Sequence, residues 1–373
     1  MSAEGAGTGQ DGAPPRESRR RYVVLFVALA VFAVAGIVVA GQSSPNSVTG
    51  AVDTSHLPLG PPPPGLSDAK GWINSTPLTS SDLQGKVVVY DFWTYSCVNC
   101  VRSLPYLRSW YDRYRQDGLV VVGIHSPEFD FEKDHGNVAN AVKHLNVDYP
   151  VALDDDMAIW NQFGAMYWPE KWIADRQGRL RYQDVGEGNY GTTEDVLRRL
   201  LGVPASAPRA RVVSATHAGQ PPQQSQAVTQ ETYLGTDHGT AGVQPGPVSY
   251  PEPQGLRLGD ARVVGTWVGS GQQVQAAAPG AAVVLEYRAR EVNLVMASAA
   301  GQPVDVTVEL DGKPLPASYR TSQTMVDGQG QTFVQVSGSD LYRLVLGPSI
   351  EQHTLRLTAR SAGVQAFAFT FGA

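Results

Sequence analysis

The hydrophobic pattern divides the chain into four stretches, and the first is an unbroken apolar run. Residues 22–41, YVVLFVALAVFAVAGIVVAG, carry no charge. At about 1.5 Å per helical residue, such a run matches a bilayer core of about 30 Å. Arg16, Arg19, Arg20 and Arg21 stand just before it, and no Lys or Arg follows until Lys70. The positive-inside rule then predicts a cytoplasmic tail over 1–21, a single transmembrane anchor over 22–41, and export of everything beyond. A signal sequence is the competing reading, although the run exceeds the usual signal core of about 7–15 residues. Residues 42–66 are small, polar and proline-rich, with Pro61–Pro64 consecutive. They read as a semi-rigid spacer.

From 67 to 202 buried-strand runs alternate with helical patterns. Strands are predicted at 87–93 (VVVYDFW), 119–125 and 151–153, followed by 171–175 and 179–184 joined across a turn at 175–178. Helices are predicted at 97–116, closed by Asp117-Gly118, at 131–145, at 157–163 and at 192–201. Thr192 and Thr193 are the expected caps of the last. A β-α-β start with a later hairpin implies an α/β fold, a mixed sheet flanked by helices.

Residues 203–228 are rich in Pro, Gln, Ser and Ala without periodicity and read as a linker. Beyond it, over 229–373, the period changes to two. Val304–Leu310 alternates and meets Asp311-Gly312, a hairpin signal. Runs at 285–290, 292–296, 341–346, 353–359 and 364–371 continue the pattern, with Phe367, Phe369 and Phe371 expected on one face. This predicts an all-β sandwich or jelly-roll domain.

A net charge of −6 and a charged fraction of 17% offer no basic surface for nucleic acid. The 39 glycines and 26 prolines suit linkers and a turn-rich β domain. Only two cysteines are present, Cys97 and Cys100. A pair this close in sequence removes little unfolded-state entropy, so it is not a structural staple. It reads as redox chemistry or half of a metal site. A zinc site needs about four ligands, and His125, His135 and His144 lack metal-ligand spacing, so they read as surface or structural residues. A strand ending near Trp93 places Cys97 at the start of the next helix, where free N–H groups and the helix dipole favour a thiolate. Cys97 is then the nucleophile and Cys100, one turn on, the resolving thiol. No cofactor beyond this cysteine pair is expected.

Asp91-Phe-Trp93 followed by CxxC resembles thioredoxin, with Pro105 at the place of its helix proline. His125–Phe129, Tyr149–Leu153 and Tyr167-Trp168-Pro169 resemble the exported TlpA/DipZ-like thioredoxins. Tyr233–Asp237 and the β-rich tail resemble the carbohydrate-binding-module-like domain that follows the redox domain in DipZ-type chains. The resemblance implies a thioredoxin-like fold over 67–202 and a disulfide-exchange activity on exported proteins, cytochrome c biogenesis included. It implies that Asp91 is a buried acid accepting a proton when Cys100 attacks, where the residue pattern alone also allows a solvated strand-end acid. It further implies that Pro169 forms a cis-proline loop facing the disulfide, and that Trp93 and Trp168 contact substrate. Ser103 and Ser96 depart from the family pattern, which carries a glutamate and a tryptophan there. Glu128, in the loop after the second strand, could contribute acid–base chemistry, although it reads first as an exposed loop acid. A single apolar segment implies that electrons come from a separate CcdA-type membrane donor.

Two other functions compete. Thr94, three residues before Cys97, suits a peroxiredoxin-like peroxidase, although Tyr90 replaces the expected proline. The β domain suits a cell-wall glycan binder, with Trp267, Tyr287 and Tyr342 as candidate sugar-stacking residues that equally read as core.

Overall fold

The structure, a computed structural model, describes residues 57–212, 228–299 and 301–373. The tail at 1–21, the apolar run at 22–41, most of the first spacer and the middle of the second linker lie outside the described residues. Among the described residues no helix is long and apolar enough to cross a membrane.

The first half contains β1 (Gly71–Ile73), β2 (Val87–Trp93), α1 (Val98–Tyr114), β3 (Leu119–His125), α2 (His135–His144), β4 (Val151–Leu153), α3 (Ala158–Phe163), β5 (Glu170–Ala174), β6 (Leu180–Val185) and α4 (Tyr190–Leu201). They build a mixed sheet in the order β1-β4-β3-β2-β5-β6, parallel across β2, β3 and β4 and antiparallel elsewhere. This is the expected thioredoxin-like arrangement. Every residue of β2 is buried, because helices cover both faces. Val87, Val89 and Trp93 pack on the α1 side with Leu104, Leu107 and Trp110. Val88, Tyr90 and Phe92 pack on the other with Ile159 and Phe163. The period of two therefore puts Asp91 on the α1 side.

Several boundaries differ from the sequence pattern. α1 begins at Val98 because Cys97 is its N-cap, and it ends at Tyr114 in a 3-10 turn closed by Gly118 at φ 97°. The helix expected over 131–145 splits, because Asp134 intercepts it by accepting the Asn137 N–H at 2.9 Å. α4 starts at Tyr190 after Asn189 at φ 51°. Thr193 lies inside the helix and donates to Asp184, so neither threonine is its cap. Neither proline-rich segment is a plain spacer where it is described. Residues 57–61 lie along β6, bonded from Arg179, Arg181 and the Leu180 amide. Residues 204–208 are held by four carbonyl contacts to Arg198.

The second half contains β7 (Thr232–Tyr233), β8 (Gly246–Tyr250), β9 (Ala261–Gly269), β10 (Val274–Ala276), β11 (Ala282–Ser298), β12 (Val304–Leu310), β13 (Lys313–Pro314), β14 (Met325–Val326), β15 (Thr332–Val336), β16 (Asp340–Ala359) and β17 (Val364–Gly372). The Asp311-Gly312 turn joins β12 to β13 with both residues at positive φ, as the sequence signalled. Among the described residues these strands form one eleven-stranded sheet rather than two separate ones. The long β11 pairs with β9 in its first part and β17 in its second, with β-bulges near Ala289 and Val292. Bulges bend strands, and the bent sheet encloses one core. Trp267, Tyr287 and Tyr342 are all buried in that core, which removes them as sugar platforms. Phe367 leaves the face of Phe369 and Phe371 where the β11–β17 register shifts. It joins Val98, Phe129 and Leu341 in a cluster between the two halves.

Candidate active site

The cysteine pair sits where β2 hands over to α1. Cys97 is half-buried, with extended backbone (φ −80°, ψ 113°), and its Sγ accepts the Cys100 N–H at 3.2 Å. The sulfur itself thus caps the helix, in the position where a helix terminus stabilises an anion. Cys100 is fully buried and both cysteines are free thiols. Burial, and then the neighbouring Cys97 sulfur, push the Cys100 thiol well above its ordinary pKa. A half-buried thiol on the cleft wall with a donor aimed at it, and a protonated, shielded partner one turn on, are suited to attack and resolution respectively.

Asp91 lies on the same face of β2, fully buried, and neither carboxyl oxygen has a hydrogen-bond partner. Desolvation raises its pKa to about 7, and the charge of Lys171 holds it down from higher still. Lys171 is the direct cross-strand neighbour of Asp91 between β2 and β5 and is itself fully buried. Its ammonium contacts Asp184 at 3.4 Å and the Gly186 carbonyl at 3.3 Å. The solvated strand-end reading of Asp91 is therefore excluded.

The Trp168–Pro169 peptide is cis. Trp168 is half-buried, lines the cleft at Cys97, donates its indole N–H to the Ser126 carbonyl and lies against Trp160. Met166 and Tyr167 stand exposed beside it, their amides held by the buried Glu170. Trp93 differs from expectation. It is fully buried against Gly123 and the edge of His125, so it supports the motif from beneath and has no surface to offer a substrate.

Glu132 is a central residue that the sequence reading missed. Fully buried, its carboxyl accepts from Ser96 Oγ at 2.6 Å, Thr94 Oγ1, and the amides of Ser96, Glu128 and Phe129. It ties the loop before Cys97 to the loop after β3. It also engages Thr94, whose hydroxyl is directed to this carboxyl. Ser103 donates to the Cys100 carbonyl and supplies no acid. His125 is buried, and desolvation lowers its pKa to about 3. His135 and His144 are on the surface. Among the described residues no cluster of His, Cys, Asp and Glu could hold a metal ion.

The cleft at Cys97, about 250 Å³, is walled by both halves of the chain: Glu128 and Trp168 on one side, Glu231, Tyr233 and Phe371 on the other. Glu128 is not an exposed loop acid. It is half-buried and accepts from the Tyr233 hydroxyl at 2.5 Å. Val98, between the cysteines, is buried by Phe367 and Leu341. Four residues further, Arg102 reaches Glu291 of β11 at 2.6 Å and Glu187 at 3.5 Å. A Cβ on Gly372 would lie 2.2 Å from the Arg102 guanidinium, which would have to shift to admit it.

Comparisons with known proteins agree with this architecture. Residues 68–201 match the redoxin family and residues 229–372 the family described as thioredoxin like C-terminal domain. The chain is 33% identical over 318 residues to protein DipZ of Mycobacterium bovis, covering 83% of this chain and 42% of that one. It thus spans less than half the length of that relative. It is 28% identical over 145 residues to the thiol-disulfide oxidoreductase YkuV of Bacillus subtilis, covering 39% of this chain and 97% of that one. It is also 28% identical over 119 residues to the thiol-disulfide oxidoreductase ResA of Bacillus thuringiensis, covering 32% of this chain and 66% of that one. A redoxin domain with this cysteine pair, joined to this C-terminal domain, makes the chain a homologue of DipZ over the part of DipZ that it spans, with a thioredoxin-like fold in its first half.

Proposed function

We propose that the protein is a membrane-anchored, extracytoplasmic thiol–disulfide oxidoreductase that reduces disulfides of exported proteins, those of cytochrome c biogenesis among them. One observation carries the reading: Cys97 caps α1 inside an open cleft, while Cys100 is shielded one turn along beside a partnerless buried acid. The Cys97 thiolate attacks a substrate disulfide, forming a mixed disulfide and expelling one substrate thiolate. Asp91 takes the proton of Cys100, whose sulfur attacks Cys97 and expels the second substrate thiolate. The enzyme is left as the Cys97–Cys100 disulfide, and two electrons have passed to substrate. A separate membrane dithiol of the CcdA type restores the pair. The apolar run at 22–41 behind its arginines supports the anchor and the exported side. Trp168 and the Pro169 loop, on the cleft wall, supply the substrate surface.

Thiol trapping of the full chain in its native membrane tests this reading. A Cys100→Ser variant is expected to retain substrate proteins as mixed disulfides through Cys97, and a Cys97→Ser variant to retain none. A pair that never cycles between dithiol and disulfide overturns it.

A further inference from the structure

The mechanism above leaves one proton unassigned. The first substrate thiolate to leave, when alkyl, is basic enough to take up a proton at neutral pH, since its thiol has a pKa of about 8.5, and Asp91 serves Cys100, not the cleft. The family position for a second acid holds Ser103, whose hydroxyl is spent on a backbone carbonyl. Glu128, however, lines the same cleft as Cys97. Its partners come from the β domain: Tyr233 of β7 donates to it, and Glu231 stands at the cleft rim two residues earlier.

We propose that Glu128 is the general acid for the leaving substrate thiolate, and that Tyr233 and Glu231 of the β domain are positioning residues that set when it carries its proton. The step balances. The Cys97–substrate S–S bond forms, the substrate S–S bond breaks, and the departing sulfur takes the Glu128 proton, leaving a carboxylate that accepts the Tyr233 hydroxyl. In the oxidising direction the same carboxylate takes a proton from the attacking substrate thiol. The β domain is then part of the redox site rather than an appended module. This deepens the dithiol reading and rests on it.

The groups facing Glu128 set its proton affinity. Burial and the charge of Glu231 raise its pKa, the Tyr233 hydrogen bond opposes them, and Glu132 behind it adds a smaller rise, giving about 8. The Glu231 carboxyl is raised by desolvation and lowered by the same hydroxyl. Asp237 and His238 line the adjoining cavity that Glu128 also borders. At neutral pH the acid is therefore loaded.

The test compares two disulfides in single turnovers of the pre-reduced full chain in detergent. Glutathione disulfide expels a basic alkyl thiolate, whereas 5,5′-dithiobis(2-nitrobenzoate) expels an acidic aromatic thiolate that needs no proton. Glu128→Gln is expected to lower the alkyl-to-aromatic rate ratio about tenfold or more. A ratio is insensitive to a fraction of misfolded protein. In the parent chain this ratio should fall above about pH 8 as Glu128 ionises. Glu231→Gln removes the like charge and should move that fall to lower pH. Tyr233→Phe removes the hydrogen bond to the carboxylate and should move it to higher pH. An unchanged ratio in Glu128→Gln, or shifts of the same sign in the other two, overturns the proposal while leaving the dithiol reading intact. A parent chain whose Cys97 reacts with neither disulfide removes both.

Discussion

The buried acid beneath the cysteines should make the reduced protein less stable as pH rises, and Asp91→Asn should abolish that loss. The folded-state pKa of Asp91, about 7, exceeds the ordinary value of 3.8 because the carboxyl is fully buried and unpartnered. The folded protein therefore holds this proton more tightly than the unfolded chain does. Below pH 3.8 both states are protonated and nothing is lost. Between the two values the unfolded chain ionises first, and stability declines until the folded pKa is passed. Linkage over this interval gives a cost of about 1.7 kcal/mol at pH 5 and about 4 kcal/mol at pH 8. An asparagine never ionises, so the variant's stability advantage should grow by about 2.6 kcal/mol from pH 5 to pH 8. Any constant penalty for burying an unpartnered amide cancels in that difference. Urea denaturation of the reduced full chain at the two pH values measures it through the midpoint. An advantage that is the same at pH 5 and pH 8 would refute the claim that the fold raises the proton affinity of Asp91 to near neutrality, and with it the idea of a base matched to the Cys100 proton.

Two further substitutions probe how the site is held. Glu132→Ala removes a carboxyl that accepts from two side chains and three amides, and leaves those donors buried. It should cost about 3 kcal/mol, read as a lower urea midpoint, and a loss below about 1 kcal/mol would mean that the two loops hold their places without it. Arg102→Met takes the ion-pair partner from Glu187 and Glu291, both largely buried, leaving Glu291 only the charge of Arg343 and its Asn293 contact, and should cost about 3 kcal/mol and expose the junction between the halves to protease. The double variant Arg102→Met, Glu291→Met should recover much of that stability, since one stranded carboxylate has gone with its cation. Equal losses in the single and double variants would show that the pair does not couple the halves.

What the sequence made legible follows from how local each signal is. β2 was readable because a central strand buried on both faces is a continuous apolar run, but which of its faces carries Asp91 is settled only by the packing of α1. The Asp311-Gly312 hairpin was readable because its turn needs two residues tolerant of positive φ. Lys171 was not, although it is the charge that tempers Asp91. Its meaning depends on the β2–β5 register, which no local pattern encodes. Glu132 was hidden for the same reason, since its five donors come from two loops that meet only in the folded chain. The β domain shows the limit most clearly. Alternation put Phe367, Phe369 and Phe371 on one face of β17, but nearly every residue of that strand is buried, and a register shift against β11 turned Phe367 from the core to Val98 between the two cysteines. Tyr233 is equally silent in sequence, an ordinary strand tyrosine until the fold sets its hydroxyl on Glu128. A redox site assembled across two halves is thus half readable. The half carried by one β-α junction can be seen in order along the chain, whereas the half supplied by the second domain exists only as a packing arrangement.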